Sequence, residues 1–391
     1  MSKTAIAIYL QHYLTPSMTF IYRQLKSAET KFDPIVICSD RLENQDRFPF
    51  DKLFLKRRNF INIKKSRIAR KFLGEHRLLS TNPHISKQQL NNFSEILRKN
   101  EVKLIHAHFG PSGIEICDLA KKLRIPLIVT FHGYDASILL TMKNYVKNIQ
   151  PVFKYAHIIA ISNSMKKDLI KYGAKKENIT VIRCGIPLDH FKFVEREPLL
   201  SKFPKKKMIT FLQVSNFVEV KGHYYTVQAF KGFNEKYENS KLILAGNGPN
   251  KENIETLCEQ LKISNKVEFP GIVNEKQVFE LMSSSDVFLQ HSVQLENGVK
   301  EGLPTVLMEA MATGLPVVST YHSAIPELIT NGVDGYLVHE RDVEEYTSLL
   351  FKLKTSSPEI GTKARQKVAG NFNLLIETEK LFQLYNRMII G

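Results

Sequence analysis

Short apolar runs alternate with longer stretches of helical spacing along most of the chain. In the first half, Ala5–Tyr9, Ile35–Cys38, Leu104–Ala107, Leu127–Phe131 and Ile158–Ile161 read as strands. In the second half, Met208–Val214, Lys241–Ala245, Lys266–Phe269, Asp286–Gln290, Pro316–Thr320 and Gly335–Val338 do the same. Helix-like segments such as Ser162–Tyr172, Tyr224–Lys236 and Asn253–Leu261 separate them, and Leu374–Ile389 closes the chain as an amphipathic helix. Strands alternating with helices predict an α/β protein built on parallel, doubly wound, Rossmann-like sheets. A length of 391 residues fits two domains at the soft prior of roughly 150 residues each. The stretch Leu188–Lys207, rich in proline and charge, reads as the linker. The expected domains are therefore 1–190 and 191–373, with the closing helix, 374–391, packing back on the first. Ligands bind such sheets at the open carboxyl ends of the strands, so two facing domains would place a site around one cleft.

Composition excludes some classes. A chain that is 43% hydrophobic and 24% charged buries full-sized cores and is not a disordered polymer. No run approaches the ~18–20 apolar residues of a membrane-spanning helix. The opening MSKTAIAIYLQHYL lacks the cationic region and cleavage site of a secretory signal. Cys38, Cys117, Cys184 and Cys258 form neither a CxxC pair nor a dense disulfide framework. The expectation is a reduced, cytoplasmic protein.

The net charge of +16 is held unevenly. Residues 1–190 carry 32 Lys and Arg against 15 Asp and Glu, and the remainder carries 23 against 24. A one-sided excess points to an anionic partner. Its densest part holds Lys56, Arg57, Arg58, Lys64, Lys65, Arg67, Arg70, Lys71 and Arg77, with Phe60, Ile61, Ile63, Ile68 and Phe72 interleaved. A solvated helix face and an anionic membrane surface, the latter through Lys56–Lys71, are both compatible with this pattern. Nucleic acid is not the expected partner, because zinc-finger spacing, RNP-like aromatics and tryptophan are all absent.

The most specific stretch runs from Glu301 to Val318. Pro304 suits the first position of a helix, and Gly314 suits the position just past its end. The predicted helix is about Pro304–Thr313, with Glu301 in the loop before it. The N–H groups of Thr305, Val306 and Leu307 and the positive end of the helix dipole make a ready diphosphate site. Glu309 is then placed to accept bonds from a hydroxyl pair such as that of a ribose. Taken singly, Glu301 and Glu309 read as a dipole-favouring residue and an ordinary helix-face carboxylate. His106 and His108 flank Ala107 and are expected on opposite faces of their strand, one packed and one lining the cleft, rather than as a metal pair. His132, alone, reads as a satisfied strand-end histidine.

Segments matching in register along the chain change that picture. EGLPTVLMEAMATGLPVVST (301–320) resembles the E-x7-E signature of the retaining glycosyltransferases of family 4, which have the GT-B fold. HAHFG (106–110), TFHGYD (130–135), ISNSMKKDL with VIRCGIPLDHF (181–191), FVEVKGH (217–223), LILAGNGP (242–249), VEFPGIV (267–273) and the closing FNLLIETEKLFQLY follow the family's order over nearly the whole chain. HAHFG and TFHGYD are most similar to bacterial enzymes that build capsule, exopolysaccharide or lipopolysaccharide.

The resemblance implies roles. Glu301 would contact the donor sugar and stabilise positive charge at its anomeric carbon, with His132 as the active-site histidine facing that sugar. Glu309 would bind the ribose and Lys221 the diphosphate, with Gly302, Thr305 and Val306 offering backbone contacts. Where the family often has Gly-Arg ahead of the lysine, this chain reads Ser215-Asn216. Asn216 therefore stands at the place of a cation in the donor site, and Arg183 is the candidate substitute. The first strand-to-helix loop, His12–Phe20, lacks the glycine pair of some relatives, so it receives no phosphate contact.

No Asp-x-Asp occurs in the chain, so no metal and no cofactor are expected beyond a nucleoside-diphosphate sugar as co-substrate. The implied reaction moves a sugar, expected to be UDP-linked, to a hydroxyl of a glycan or lipid-linked acceptor with retention, in bacterial surface polysaccharide synthesis. Such an acceptor would place the protein on the inner face of the cell membrane. Two other readings stay open. One is a transferase with a small soluble acceptor. The other is a non-catalytic membrane- or nucleic-acid-binding protein on a degenerate GT-B scaffold.

Overall fold

The computed structural model describes residues 3–16, 18–55, 86–196, 199–202, 207–355, 357 and 359–391. The basic run that contains Lys56–Lys71 lies outside the described residues. The chain divides into two compact units, Met1–Cys184 with Leu375–Gly391, and Gly185–Leu374.

The first unit is built on seven strands: β1 Thr4–His12, β2 Phe32–Arg41, β3 Leu53–Leu55, β4 Leu104–His108, β5 Leu127–Phe131, β6 His157–Ala160 and β7 Ile179–Val181. They pair in parallel in the order β3-β2-β1-β4-β5-β6-β7. Ile6 to Leu10 of β1 and all of β4 and β5 are buried, the signature of a parallel sheet covered on both faces. The closing helix, Leu374–Ile390, adds Leu381, Phe382, Leu384 and Tyr385 to the same core as Ile6, Val36 and Phe32. The Phe32 ring lies 5.4 Å from those of both Phe382 and Tyr385. Each such buried side chain is worth about 1.5–3 kcal/mol, which is why this helix belongs to the unit that opens the chain.

The second unit has six strands: β8 Ile209–Val214, β9 Ser240–Ala245, β10 Val267–Gly271, β11 Val287–Gln290, β12 Val317–Thr320 and β13 Tyr336–Val338. They pair in parallel in the order β10-β9-β8-β11-β12-β13. Phe211, Phe217, Phe230 and Phe233 fill its core with Leu242, Leu244 and Val287. In both sheets the first strand lies inside the order, so the direction in which successive strands are added reverses beside it, between β1 and β4 and between β8 and β11. Loops leaving the carboxyl ends of those strand pairs are where doubly wound sheets bind ligands.

All eleven expected strands are present, and β3 and β7 are additional. Both are three residues long and lie at the sheet edges, too short to carry a hydrophobic pattern. The expected linker needs correction. From Gly185 on, the chain belongs to the second unit, so residues 185–190 leave the first. Phe191 is buried. The Arg365 guanidinium donates to the carbonyls of Phe191 (2.6 Å) and Leu188 (3.2 Å), and that of Arg196 to the carbonyls of Thr313 (2.5 Å) and Met282 (2.8 Å). Arg196 thus serves internal hydrogen bonds rather than a solvated spacer. Among the described residues, no helix is long and apolar enough to cross a membrane.

Candidate functional site

In the second unit, the loops after β8 and β11 leave the sheet at its switch point. The β8 loop ends at Lys221 and Gly222, where the helix His223–Lys236 begins. Gly222 has φ +61, and a Cβ there would lie 1.8 Å from the His291 carbonyl oxygen of the β11 loop. Only glycine permits both that conformation and that approach. The Val293 N–H donates to the Val220 carbonyl (3.0 Å), and Gln213 Nε2 of β8 donates to the Lys221 carbonyl (3.0 Å). With the two loops fastened, Lys221 Nζ reaches Glu301 Oε2 in an ion pair whose side chains are 19% and 17% exposed.

The segment after Glu301 behaves as its sequence suggests, with one shift. The helix is Thr305–Ala312, and Pro304 is its N-cap at φ −62, ψ 115 rather than its first residue. The Leu307 N–H donates to the Pro304 carbonyl (3.2 Å), so it is not one of the open amides. Thr305 and Val306 are the first two helical residues, whose N–H groups have no acceptor within a helix. At the other end Gly314 has φ +73. Its N–H donates to Met311, and that of Leu315 to Ala310, both at 3.0 Å, a Schellman closure. Glu309 lies on the buried side of the helix at 8% exposure, and Gly302 is half-buried in the preceding loop.

The first unit gathers histidines at the ends of β4 and β5. His106 and His108 share one face of β4, with ring centroids 4.3 Å apart. The expectation of opposite faces was wrong, because strand side chains alternate and residues two apart point the same way. His106 Nδ1 meets the Tyr385 hydroxyl at 2.6 Å and its Nε2 meets the Thr130 hydroxyl at 2.7 Å. His108 Nδ1 lies 3.0 Å from His132 Nε2. Among the described residues, the buried Nδ1 of His132 has no hydrogen-bond partner. Burial, then the neighbouring His108, holds the His132 pKa well below its ordinary range. Burial pushes that of His108 down to about 3.

This corner is held by strain and by one carboxylate. Phe109 sits at φ +72 and ψ 142, a conformation costing an L-residue of order 1–3 kcal/mol. It is pinned by its N–H donating to the Thr130 carbonyl (2.8 Å), and its ring packs 4.6 Å from that of His132. Asp135, fully buried, accepts from the N–H groups of Gly110 (2.9 Å), His132 (3.0 Å) and Gly133 (3.0 Å). Burial raises its pKa against those three bonds. A Cβ at Gly110 would meet the Tyr145 hydroxyl at 1.9 Å.

Of the expected site residues, Lys221, Glu301, Gly302, Thr305, Val306, Glu309 and Asn216 belong to the second unit, and His132 and Arg183 to the first. Lys221 and Glu301 are in contact. Asn216 is exposed in the β8 loop. The Arg183 N–H donates to Glu377 Oε2 (2.7 Å). Sequence reasoning missed His322, whose Nε2 accepts the Glu301 N–H (2.9 Å), and Glu340, which meets His322 Nδ1 (2.6 Å). Their one signal was position just past the ends of β12 and β13. Among the described residues, no cluster of three or more His, Cys, Asp or Glu is arranged to hold a metal ion.

Residues 196–370 match the family described as Glycosyl transferases group 1, and residues 28–190 match Glycosyltransferase Family 4. The chain is 32% identical over 285 residues to the glycosyltransferase WcaL of Escherichia coli strain K12, named for colanic acid biosynthesis. That alignment covers 71% of this chain and 69% of that protein. The chain belongs to glycosyltransferase family 4. A second relative, the amylovoran biosynthesis glycosyltransferase AmsK of Erwinia amylovora, is 29% identical over 72% of this chain and 69% of that protein. An Escherichia coli UDP-Gal:alpha-D-GlcNAc-diphosphoundecaprenol alpha-1,3-galactosyltransferase is 24% identical over 78% of this chain and 80% of its own. Anabaena HepE in complex with UDP superposes with a TM-score of 0.76 at 16% identity, over 98% of this chain and 100% of that one. The transferase thus has the GT-B fold.

Proposed function

We propose that this transferase moves a hexose from UDP-sugar to a hydroxyl of a glycan or lipid-linked acceptor in surface polysaccharide synthesis, with retained anomeric configuration. One observation carries the reading. The Lys221–Glu301 ion pair sits at the sheet's switch point, one loop ahead of the helix that bears Glu309. A diphosphate at that helix N-terminus takes the lysine's charge and leaves the Glu301 carboxylate facing the sugar. Lys221 and the amides of Thr305 and Val306 then stabilise negative charge on the departing diphosphate. Glu309 accepts bonds from the ribose hydroxyls, with Gly302 and Asn216 beside the sugar and phosphates. His132 is neutral at physiological pH because burial disfavours its cation, and it offers the sugar a hydrogen bond rather than a charge.

This fixed cation and the helix amides make the step independent of a metal, and chelation leaves turnover unchanged. Names for colanic acid, amylovoran and a diphosphoundecaprenol-linked acceptor among the relatives support a surface glycan as product. The UDP complex of the structural neighbour supports the nucleotide. The basic half of the sequence suits an anionic, lipid-diphosphate-linked acceptor. Flotation with anionic vesicles at low salt tests contact between Lys56–Lys71 and the membrane.

The deciding experiment is a thermal-shift panel of UDP, GDP and ADP sugars on wild type and Glu309→Ala. A ligand selective for the folded state raises the midpoint by mass action. A shift with UDP sugars that Glu309→Ala abolishes supports the site. A shift that survives Glu309→Ala, or none with any nucleotide, overturns it.

A further inference from the structure

We propose that His322 and Glu340 form a positioning pair that fixes the backbone of Glu301, with His322 locked in its Nδ1–H tautomer. This rests on the reading that Glu301 faces the donor sugar.

The argument starts from neighbouring strand ends. β12 and β13 run in parallel with Thr320 opposite Val338, so the residues just beyond them, His322 and Glu340, emerge side by side. The imidazole is buried, 2% of the residue being exposed. A backbone N–H can only donate, so the Glu301 N–H at 2.9 Å requires a lone pair on Nε2. The remaining proton is then on Nδ1, aimed at Glu340 Oε1 2.6 Å away. A second proton on Nε2 would set two N–H groups against each other.

Glu340 grips the other end of the same loop. Its Oε2 accepts from the Gln294 N–H (2.7 Å) and from Arg341 Nη1 (3.2 Å), and Arg341 Nη2 donates to the Gln294 carbonyl. One carboxylate therefore holds Gln294 directly and Glu301 through the imidazole. Between them the loop closes on itself, the Gly298 N–H donating to Leu295 and the Leu295 N–H to Val299, each at 2.9 Å. Glu301 is thus fixed by its main chain as well as by Lys221. Displacing a reacting group by a fraction of an ångström costs rate more than binding.

Two measurements on the full chain test the pair. A two-bond proton–nitrogen correlation spectrum of histidine-labelled protein near neutral pH is expected to show His322 as Nδ1–H, its signal assigned by loss in His322→Gln. An Nε2–H or cationic ring overturns the proposal whatever the activity. The second measurement compares donor turnover in two variants. Gln places an acceptor where Nε2 stood, so His322→Gln keeps kcat within about 3-fold. Asn replaces only the Nδ1 side, so His322→Asn lowers kcat roughly 10–100-fold with the donor KM within about 3-fold, as when residues that orient a site's ligands are lost. Equal losses in both variants, with wild type active, overturn the proposal. If wild type turns over no sugar nucleotide, the reading of the site fails, and the tautomer spectrum decides the pair alone.

Discussion

The side chains of His108 and His132 meet nitrogen to nitrogen, 3.0 Å apart, although 24 residues separate them. Such a bond needs one N–H and one lone pair, so at most one ring is charged when it forms, and burial disfavours the cation of each. His108 thereby fixes which nitrogen of His132 carries the proton, and the Asp135 turn fixes where that ring lies. Replacing His108 by Phe removes the bond and keeps the apolar packing. The expected outcome is a fall in kcat of roughly 10-fold or more, the scale of losing a group that orients a neighbouring site residue. The thermal shift with UDP sugar is expected to be unchanged, since the proposed nucleotide contacts belong to the other unit. His108→Asn, which can keep a polar atom near Nδ1, recovers part of the loss. Wild-type turnover in His108→Phe would show the pair to be idle.

Acid stability follows from the same burial. Burial depresses His108 and His223 to about 3 and His291 to about 4, from an ordinary value of 6.5. The folded form keeps these rings neutral, and the unfolded chain protonates them once pH falls below about 6.5. Their stability is therefore complete above that pH and is lost progressively as pH falls toward 4 and 3. Each contributes a slope of up to about 1.4 kcal/mol per pH unit. Asp135, raised by burial, acts in the opposite direction and is one group against three. Urea unfolding at about pH 7 and pH 5 should show a loss of several kcal/mol. Equal stability at both would mean that these rings are charged or open to water in the folded protein.

Most of the fold was legible because buried parallel strands must be apolar on both faces, as in Leu104–His108 and Leu127–Phe131. The edge strands Leu53–Leu55 and Ile179–Val181 were not, since three residues carry no period. Glu301 and Glu309 were placed around their helix by a proline and a glycine, whereas Lys221 was singled out only by resemblance to the family. His322 and Glu340 were not legible. Their function depends on which strand ends lie side by side, a property of sheet order rather than of local pattern. Pro and charge in Leu188–Lys207 misled for a related reason. Thr313, a partner of Arg196, and Arg365, which bonds Phe191, lie more than a hundred residues away in the chain.

Gly222 offers a test of how tightly the two switch-point loops are joined. Alanine there meets the His291 carbonyl at 1.8 Å and must also hold φ +61. Gly332 provides the control, with φ +75 and nothing within 4 Å of the position a methyl group would take. Gly332→Ala should cost only the left-handed backbone term, about 1 kcal/mol. Gly222→Ala adds a clash with main chain that cannot rotate away, for a total of roughly 3 kcal/mol or more. It should also remove the UDP-sugar thermal shift by separating Lys221 from Glu301. Similar costs for the two variants in urea unfolding would mean that the loops part easily.

Asn216 is the place to look for a missing cation. It is exposed in the loop that leads from β8 to Lys221, and its backbone carbonyl already accepts the Val218 N–H at 2.8 Å. Its side chain can therefore change without disturbing that turn. If the diphosphate lies between Lys221 and the helix that starts at Thr305, Asn216→Arg adds a planar donor fork suited to phosphate oxygens. The donor KM should fall by about 3–10-fold, and the gain should shrink as salt screens the added charge. Lys221→Ala alone should lower kcat/KM by roughly 100–1,000-fold, the scale of losing one preorganised group at a developing charge. Asn216→Arg in the Lys221→Ala background should then restore part of that loss. An unchanged KM at both low and high salt would place the diphosphate away from the β8 loop. Lys221 would then act only as the partner of Glu301, and Asn216→Arg would recover none of the Lys221→Ala loss.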